Sequence, residues 1–310
     1  MSGGWNTIES DAGVFTHLLE GLGAKGVQFE ELVSLDADSL HSLSPIYGVI
    51  FLFKWVSSKA TDNKPEDGTF DTEAAENIFF AQQVIQNACG TQALLSVLLN
   101  IPDVDIGAPL REFKDFTIAF PPDLRGETLS NSDLIRSVHN SFARASPFID
   151  ETQRTSTDSD DVYHFIAYTS VNGILYELDG LAPAPISHGA CLPTELPDKV
   201  VPVLQRRINR YPEGEIHFNL LAMIRDPRIR AKEIGDVETL HIEERKRREW
   251  VWENSLRRHN FVGFVGDLTK GVVKAKQAEG DDSYKSWIEG GKKKSEQRMK
   301  VLRAASMKEA

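Results

Sequence analysis

The stretch DVYHFIAYTSVNGILYELDGL, residues 161–181, constrains the fold more than any other part of the chain. Two runs rich in β-branched and aromatic residues meet at Asn172-Gly173. That dipeptide suits a two-residue type I′ hairpin turn, in which both central positions need positive φ. Such a turn leaves no freedom of register: Val171 faces Ile174, and the numbers of paired residues sum to 345. His164 then stands opposite Leu181, and Asp179 opposite Ile166. His164 and Asp179 become diagonal neighbours on one sheet face, about 7–8 Å apart, a span that an imidazole and a carboxylate can bridge.

A second stretch, QQVIQNACGTQALLSVLLN (residues 82–100), holds Cys89, one of two cysteines in the chain. Asn87 is expected to cap a helix opening near Cys89, with Ala93, Leu94, Val97 and Leu98 as its buried stripe. A thiol at a helix start, with a base nearby, is disposed to ionise. Cysteine with a histidine oriented by an aspartate is a layout for nucleophilic acyl transfer. The Cys89 N–H and a side-chain amide such as Gln83 can donate to an oxyanion. On residues alone the plainer alternatives stay open: Cys89 as a small buried hydrophobe, and His164 as a satisfied core histidine. Cys191 in HGACLP has no charged activator beside it and is expected in the core. His17, His41, His139, His188, His217, His241 and His259 are expected in core or surface roles.

Around these stretches, residues 1–225 are expected to mix α and β. SDAGVFTHLLEGLGAKG is expected to be a helix capped by Ser10 or Asp11. IYGVIFLFKWV is expected to hold a central strand, since its apolar run stops at Lys54, well short of the roughly 20 residues of a membrane-spanning helix. Residues 57–77 are expected to be a polar surface loop, and Ile216–Ile224 a further strand. The segment 144–161, RASPFIDETQRTSTDSDD, lacks periodicity and is expected to be a functional loop. From about Glu233 the pattern is helical and charge-rich, so the boundary is set at 225/226, with residues 226–310 as a helical extension. Residues 226–310 carry 20 Lys+Arg against 15 Asp+Glu, and residues 1–225 carry 15 against 31, a balance of −16. An acidic body attracts a basic partner and repels nucleic acid. No secretory h-region, disulfide framework, CxxC or HExxH is present. A reducing intracellular setting is expected, with no cofactor and no structural metal.

QQVIQNACGT, LSNS, HFIAYTSVNGILYELDGL and WNTIESDAGVF together resemble the ubiquitin carboxyl-terminal hydrolases, in the same order along the chain and through about Arg225. The resemblance implies an α/β (α+β) fold: a papain-like α–β–α sandwich with a central, mostly antiparallel sheet, plus the helical C-terminal extension. It implies Cys89 as nucleophile, His164 as general base and acid, Asp179 as orienter and Gln83 as an oxyanion donor. The implied substrates are ubiquitin and ubiquitin conjugates, cut after the C-terminal glycine. WNTIESDAGVF would lie on the ubiquitin-contacting rim, and residues 144–161 would form the loop that crosses over the site. ENSLRRHNFVGFV resembles the long, proteasome-associated branch, whose extension binds a proteasomal ubiquitin-receptor subunit and is linked to a chromatin-remodelling complex. Nucleus and cytoplasm are the implied compartments, without a membrane or direct nucleic-acid partner. Two rival readings remain at this stage: a non-catalytic ubiquitin receptor, and a thiol hydrolase for another ubiquitin-like modifier.

Overall fold

The computed structural model describes residues 4–54, 64–85, 87–142, 163–212, 218–259 and 261–306. The chain forms two compact units, one holding the described residues as far as Arg258 and the other those from His259 onward.

The first unit is built on a seven-stranded antiparallel sheet. Its strands are β1 (Val27–Glu31), β2 (Ile46–Lys54), β3 (Thr69–Phe70), β4 (Tyr163–Val171), β5 (Ile174–Leu178), β6 (Ile186–Ala190) and β7 (Asn219–Arg225), in the order β1-β7-β2-β4-β5-β6-β3. As IYGVIFLFK suggests, β2 is central, paired with both β4 and β7. The strand expected over Ile216–Ile224 is β7; residues 216 and 217 lie outside the described ones.

The β4–β5 hairpin has the register that its turn demands. Asn172 and Gly173 take φ of 52° and 79°, and the pairs run from Val171↔Ile174 to Ala167↔Leu178. The ladder ends there. His164 and Leu181, and Ile166 and Asp179, are not ladder pairs. β4 continues as far as Tyr163 by pairing with β2, which sets His164 opposite Phe53.

Helices cover both faces. They are α1 (Ala12–Gly21), α2 (Ala37–Ser42), α3 (Ala74–Asn77), α4 (Cys89–Leu98), α5 (Gly107–Thr117), α6 (Pro122–Asn131), α7 (Asp133–His139) and α8 (Leu196–Ile208), followed by α9 (Pro227–Ile234) and α10 (Val237–Arg258). One core joins α1 and α4 to the sheet; a second, carrying Leu196, Val200 and Leu204 of α8, lies with β2 and β7. This is the expected α–β–α arrangement. The cap of α1 is Asp11, whose carboxylate accepts from Val14 N at 2.9 Å. The expected polar loop proves partly structured. β3 pairs with β6, and α3 follows; neither is long enough to show a period in the sequence.

The first unit also runs beyond the 225/226 boundary set by composition, because α9 and α10 belong to it. The Trp250 ring of α10 lies where a Cβ on Gly13 of α1 would sit, 2.7 Å away, and Asn254 Nδ2 donates to Gly13 O at 3.0 Å. A charge-rich helix shows little of this apolar contact in its period. The second unit pairs α11 (Val262–Ala278) with α12 (Asp281–Ser306). Gly263, Gly266 and Gly271 are helical there, each at a cost of about 1 kcal/mol relative to Ala.

Trp250→Ala is expected to destabilise the first unit by about 2 kcal/mol, roughly half the ~3–5 kcal/mol of a fully buried tryptophan. It should also raise amide exchange across residues 237–258. Hydrogen-exchange mass spectrometry on the full chain checks this.

Candidate active site

Cys89 is the first residue of α4, a helix buried along its whole length against the sheet. A helix so enclosed has to satisfy its polar side chains internally. Thr91 Oγ1 bonds His139 Nδ1 at 2.7 Å, while His139 Nε2 bonds Asn6 O at 2.6 Å. The carbonyl fixes the tautomer: Nε2–H donates to Asn6, and Nδ1 accepts from the threonine hydroxyl. Burial pushes the His139 pKa down, so it stays neutral, as a core histidine.

Asn87 does not cap α4. The N-cap is Ala88, without a side-chain bond, and Asn87 instead takes φ 69° and donates Nδ2 to Trp5 O at 3.2 Å. Asparagine tolerates the left-handed region better than most residues, and this turn delivers Cys89 to the helix start. With no cap over it, the Cys89 N–H is one of the first-turn amides that no intrahelical carbonyl accepts.

The imidazole comes from the second residue of β4. His164 Nε2 bonds Asp179 Oδ1 at 2.7 Å, and the same oxygen accepts from Leu181 N at 2.9 Å. The other nitrogen, Nδ1, is not engaged by Asp179, and Cys89 is among the groups that favour the charged imidazole. The chain leaves the ladder after Leu178, and the Asp179 turn closes on the histidine. His164 is only 3% exposed. Burial opposes its charge, but Asp179 and Cys89 together outweigh that and hold its pKa up at about 9. Burial opposes the Asp179 charge too, and the bond to His164 outweighs it, keeping that carboxyl below its ordinary value.

Gln83 is pinned beside the same turn, its N–H donating to Gly180 O at 2.8 Å. Its side-chain Nε2 donates to Ile85 O at 3.0 Å. A primary amide has two such hydrogens, so one donor is left for a ligand. A Cβ on Gly180 would fall 2.2 Å from Gln92 Nε2 and 3.0 Å from Gln83 Cβ, so only glycine permits this approach. Upstream, the buried Arg125 guanidinium donates to the carbonyls of Ile78, Phe80, Ile118 and Phe120, fixing the segment that leads to Gln83. The structure thus sets His164 against Asp179 and Gln83 beside the same turn, with Cys89 acting on the imidazole. The rest of the setting was not foreseen. Phe53 meets the His164 ring edge-on, with centroids 5.7 Å apart, and its ring also carries the half-buried Arg207, which pairs with the buried Glu177. The one sequence signal was Glu177, a charge inside the apolar run ILYEL that shares the parity of Asp179. Residues 144–161, expected to cross over the site, lie outside the described ones. Cys191 is buried, as expected.

A cysteine at the start of a helix laid on an antiparallel sheet, with a carboxylate-held imidazole on that sheet, defines a papain-like cysteine hydrolase. The family model described as "Ubiquitin carboxyl-terminal hydrolase, family 1" matches residues 5–209, and one described as "Ubiquitin carboxyl-terminal hydrolases" matches residues 234–277. The chain belongs to the ubiquitin carboxyl-terminal hydrolase family; it is a deubiquitinating cysteine peptidase. It is 54% identical over 277 residues to ubiquitin carboxyl-terminal hydrolase 2 of Schizosaccharomyces pombe, covering 87% of this chain and 91% of that one. It is 39% identical over 314 residues to ubiquitin carboxyl-terminal hydrolase ubh-4 of Caenorhabditis elegans, covering 94% and 95%. Among solved structures it resembles Trichinella spiralis UCH37 bound to ubiquitin vinyl methyl ester, with a TM-score of 0.62 and 36% identity, over 82% of this chain and 99% of that one.

His164 is expected to titrate near 9 in the free protein, and Asp179→Asn to lower that value, because it removes what favours the imidazolium and leaves burial, which disfavours it. Histidine ring NMR against pH reads both. The stabilising contribution of the pair is fully present below the unfolded value of about 6.5 and lost as pH rises through about 9.

Proposed function

We propose that the chain hydrolyses the amide or isopeptide bond after the C-terminal glycine of ubiquitin through a thioester on Cys89, and that its C-terminal extension docks it to the proteasome. The observation that carries the chemistry is the buried His164 imidazole, bonded to Asp179 and held in its charged form by Asp179 and Cys89. The reaction is written from the thiolate–imidazolium form of the pair. The Cys89 sulfur attacks the glycine carbonyl carbon, and the oxygen takes the electron pair, met by the Cys89 N–H and Gln83 Nε2. As the C–N bond breaks, His164 gives its proton to the leaving amine. Neutral His164 then takes a proton from water; the hydroxide attacks the thioester, and the C–S bond breaks to return the thiolate. Ubiquitin leaves with a free carboxylate.

Support for ubiquitin as the acyl donor comes from the family itself and from the UCH37 complex. The acidic balance of residues 1–225 suits the basic tail of ubiquitin. Support for docking comes from α11, where Phe264, Val265 and Leu268 are exposed on a helix inside the second matched region. The same extension would carry any chromatin-remodelling association, in keeping with a nuclear and cytoplasmic location.

Cys89→Ser is expected to lower the turnover of a fluorogenic ubiquitin C-terminal amide by at least about 10³-fold. A variant that keeps wild-type turnover excludes the thioester route. Phe264→Asp with Leu268→Asp is expected to leave that turnover within about twofold and to abolish co-sedimentation with purified proteasomes. Co-sedimentation at the wild-type level would exclude docking through α11.

A further inference from the structure

Behind the His164–Asp179 pair lies a second pair, the buried Glu177 and the half-buried Arg207, that the reaction as written does not use. Glu177 precedes Asp179 by two residues, so alternation puts both carboxylates on one face of the strand path. The Glu177 side chain is 4% exposed. Its Oε1 accepts from Arg207 of α8, and its Oε2 from Tyr168 Oη at 3.0 Å and from His188 Nε2 at 3.2 Å. The Arg207 guanidinium is also the back wall of the active-site histidine. Its carbon lies 4.6 Å over the Phe53 ring, and that ring meets the His164 imidazole at 87°. Phe53 thus stands between the two cations, and β2–β4 pairing fixes Phe53 opposite His164.

The charges face each other from several elements. β4 supplies His164 and Tyr168, and β6 supplies His188. Asp67, in the segment before β3, lies 3.9 Å from His188 Nδ1. α8 supplies Arg206, 2.9 Å from Asp67, along with Arg207, and Arg210 follows it. Cys89 of α4 acts on His164 as well. Within this group Asp67 is served by Arg206 and Arg210. Of the two carboxylates in the strand path, Glu177 pairs with Arg207 and His188, and Asp179 with His164.

We infer that Arg207 is a positioning residue for the hydrolysis: by neutralising Glu177 it keeps that carboxylate from adding to the hold of Asp179 on the imidazolium, and by covering Phe53 it fixes the ring that the imidazole packs against. A nearby carboxylate left without its cation favours the charged form of a neighbouring imidazole. If Arg207 is removed, the Glu177 charge acts on His164 uncompensated, the imidazolium holds its proton more tightly, and it becomes a poorer acid towards the leaving amine. The inference rests on the proposed thioester reaction and assigns Arg207 no contact with substrate.

The test is the pH profile of kcat/KM on the fluorogenic ubiquitin amide for the full-length chain, with thermal midpoints measured alongside. Arg207→Met is expected to move the basic limb, set by His164 near 9 in the wild type, up by about one unit. It should lower kcat about tenfold while KM stays within about threefold. The double variant Glu177→Gln, Arg207→Met removes the carboxylate together with its cation. Its basic limb is expected back within about half a unit of wild type, which a purely packing role for Arg207 would not produce. Arg207→Lys keeps the charge and should keep the limb in place. A wild-type limb in Arg207→Met overturns the inference, as does a double variant displaced as far as the single one. Should Arg207→Met fail to fold, the double and lysine variants carry the test, and a displaced limb in either overturns it. Cys89→Ser in the same assay separates the two ideas: wild-type turnover there defeats the thioester reaction itself, whereas a dead Cys89→Ser beside an unshifted Arg207→Met defeats only the role of Arg207.

Discussion

The bond between His164 and Asp179 depends on a two-residue turn. Asn172 and Gly173 accept positive φ, the hairpin closes without slippage, and every pair behind it is fixed. A slip of one residue would turn His164 to the opposite sheet face, away from the Asp179 carboxylate. The pair is therefore a consequence of backbone geometry before it is one of charge. The ladder stops at Ala167↔Leu178, so Asp179 meets the ring from the turn that follows the ladder, its carboxylate 2.7 Å from Nε2.

Enclosing such a site has a cost, and the neighbourhood shows how it is met. A helix buried on all sides brings Thr91 and Gln92 into the core, and each finds a partner, His139 for the first and the Ala81 carbonyl for the second. Arg125 is buried and bonded to backbone carbonyls that would otherwise be orphaned where the chain runs from α3 towards Gln83. These contacts fix two segments that converge on Cys89, the one through Trp5 and Asn6 and the one through Phe80 to Gln83. Fixing donors and acceptors before substrate arrives is what makes transition-state stabilisation effective.

Much of this was legible in the sequence, and the limits have physical causes. The hairpin could be read because Asn-Gly between β-rich runs specifies a turn and hence a register. The Cys89 helix could be read from its apolar stripe, although the cap at Asn87 could not: an asparagine before a helix suits a cap and a left-handed turn alike, and tertiary contact with Trp5 decides. β3 and α3 were missed because pieces so short carry no period. The second carboxylate–cation pair was half visible, since Glu177 breaks an apolar strand, but Arg207 is one of several charges in QRRINRY and nothing local marks it as the half-buried one.

The same limit bears on the acidic balance of residues 1–225. Composition offers it as attraction for a basic partner, yet α10 meets part of it within the chain. Arg257 binds Asp11 at 2.9 Å and Glu9 at 3.3 Å, Arg247 binds Glu20, and Lys246 binds Glu30. Arg247 is 11% exposed along its side chain, and its guanidinium lies 5.6 Å from the Trp250 ring centre. Desolvation of that kind gives an ion pair more weight than a solvated surface pair has. The charge contrast across residue 225 is therefore in part a docking code for α10 on α1, spent inside the first unit. Only what α10 leaves uncovered remains to steer a basic tail towards Cys89, and that remainder, rather than the total of −16, is the charge on which recognition can act.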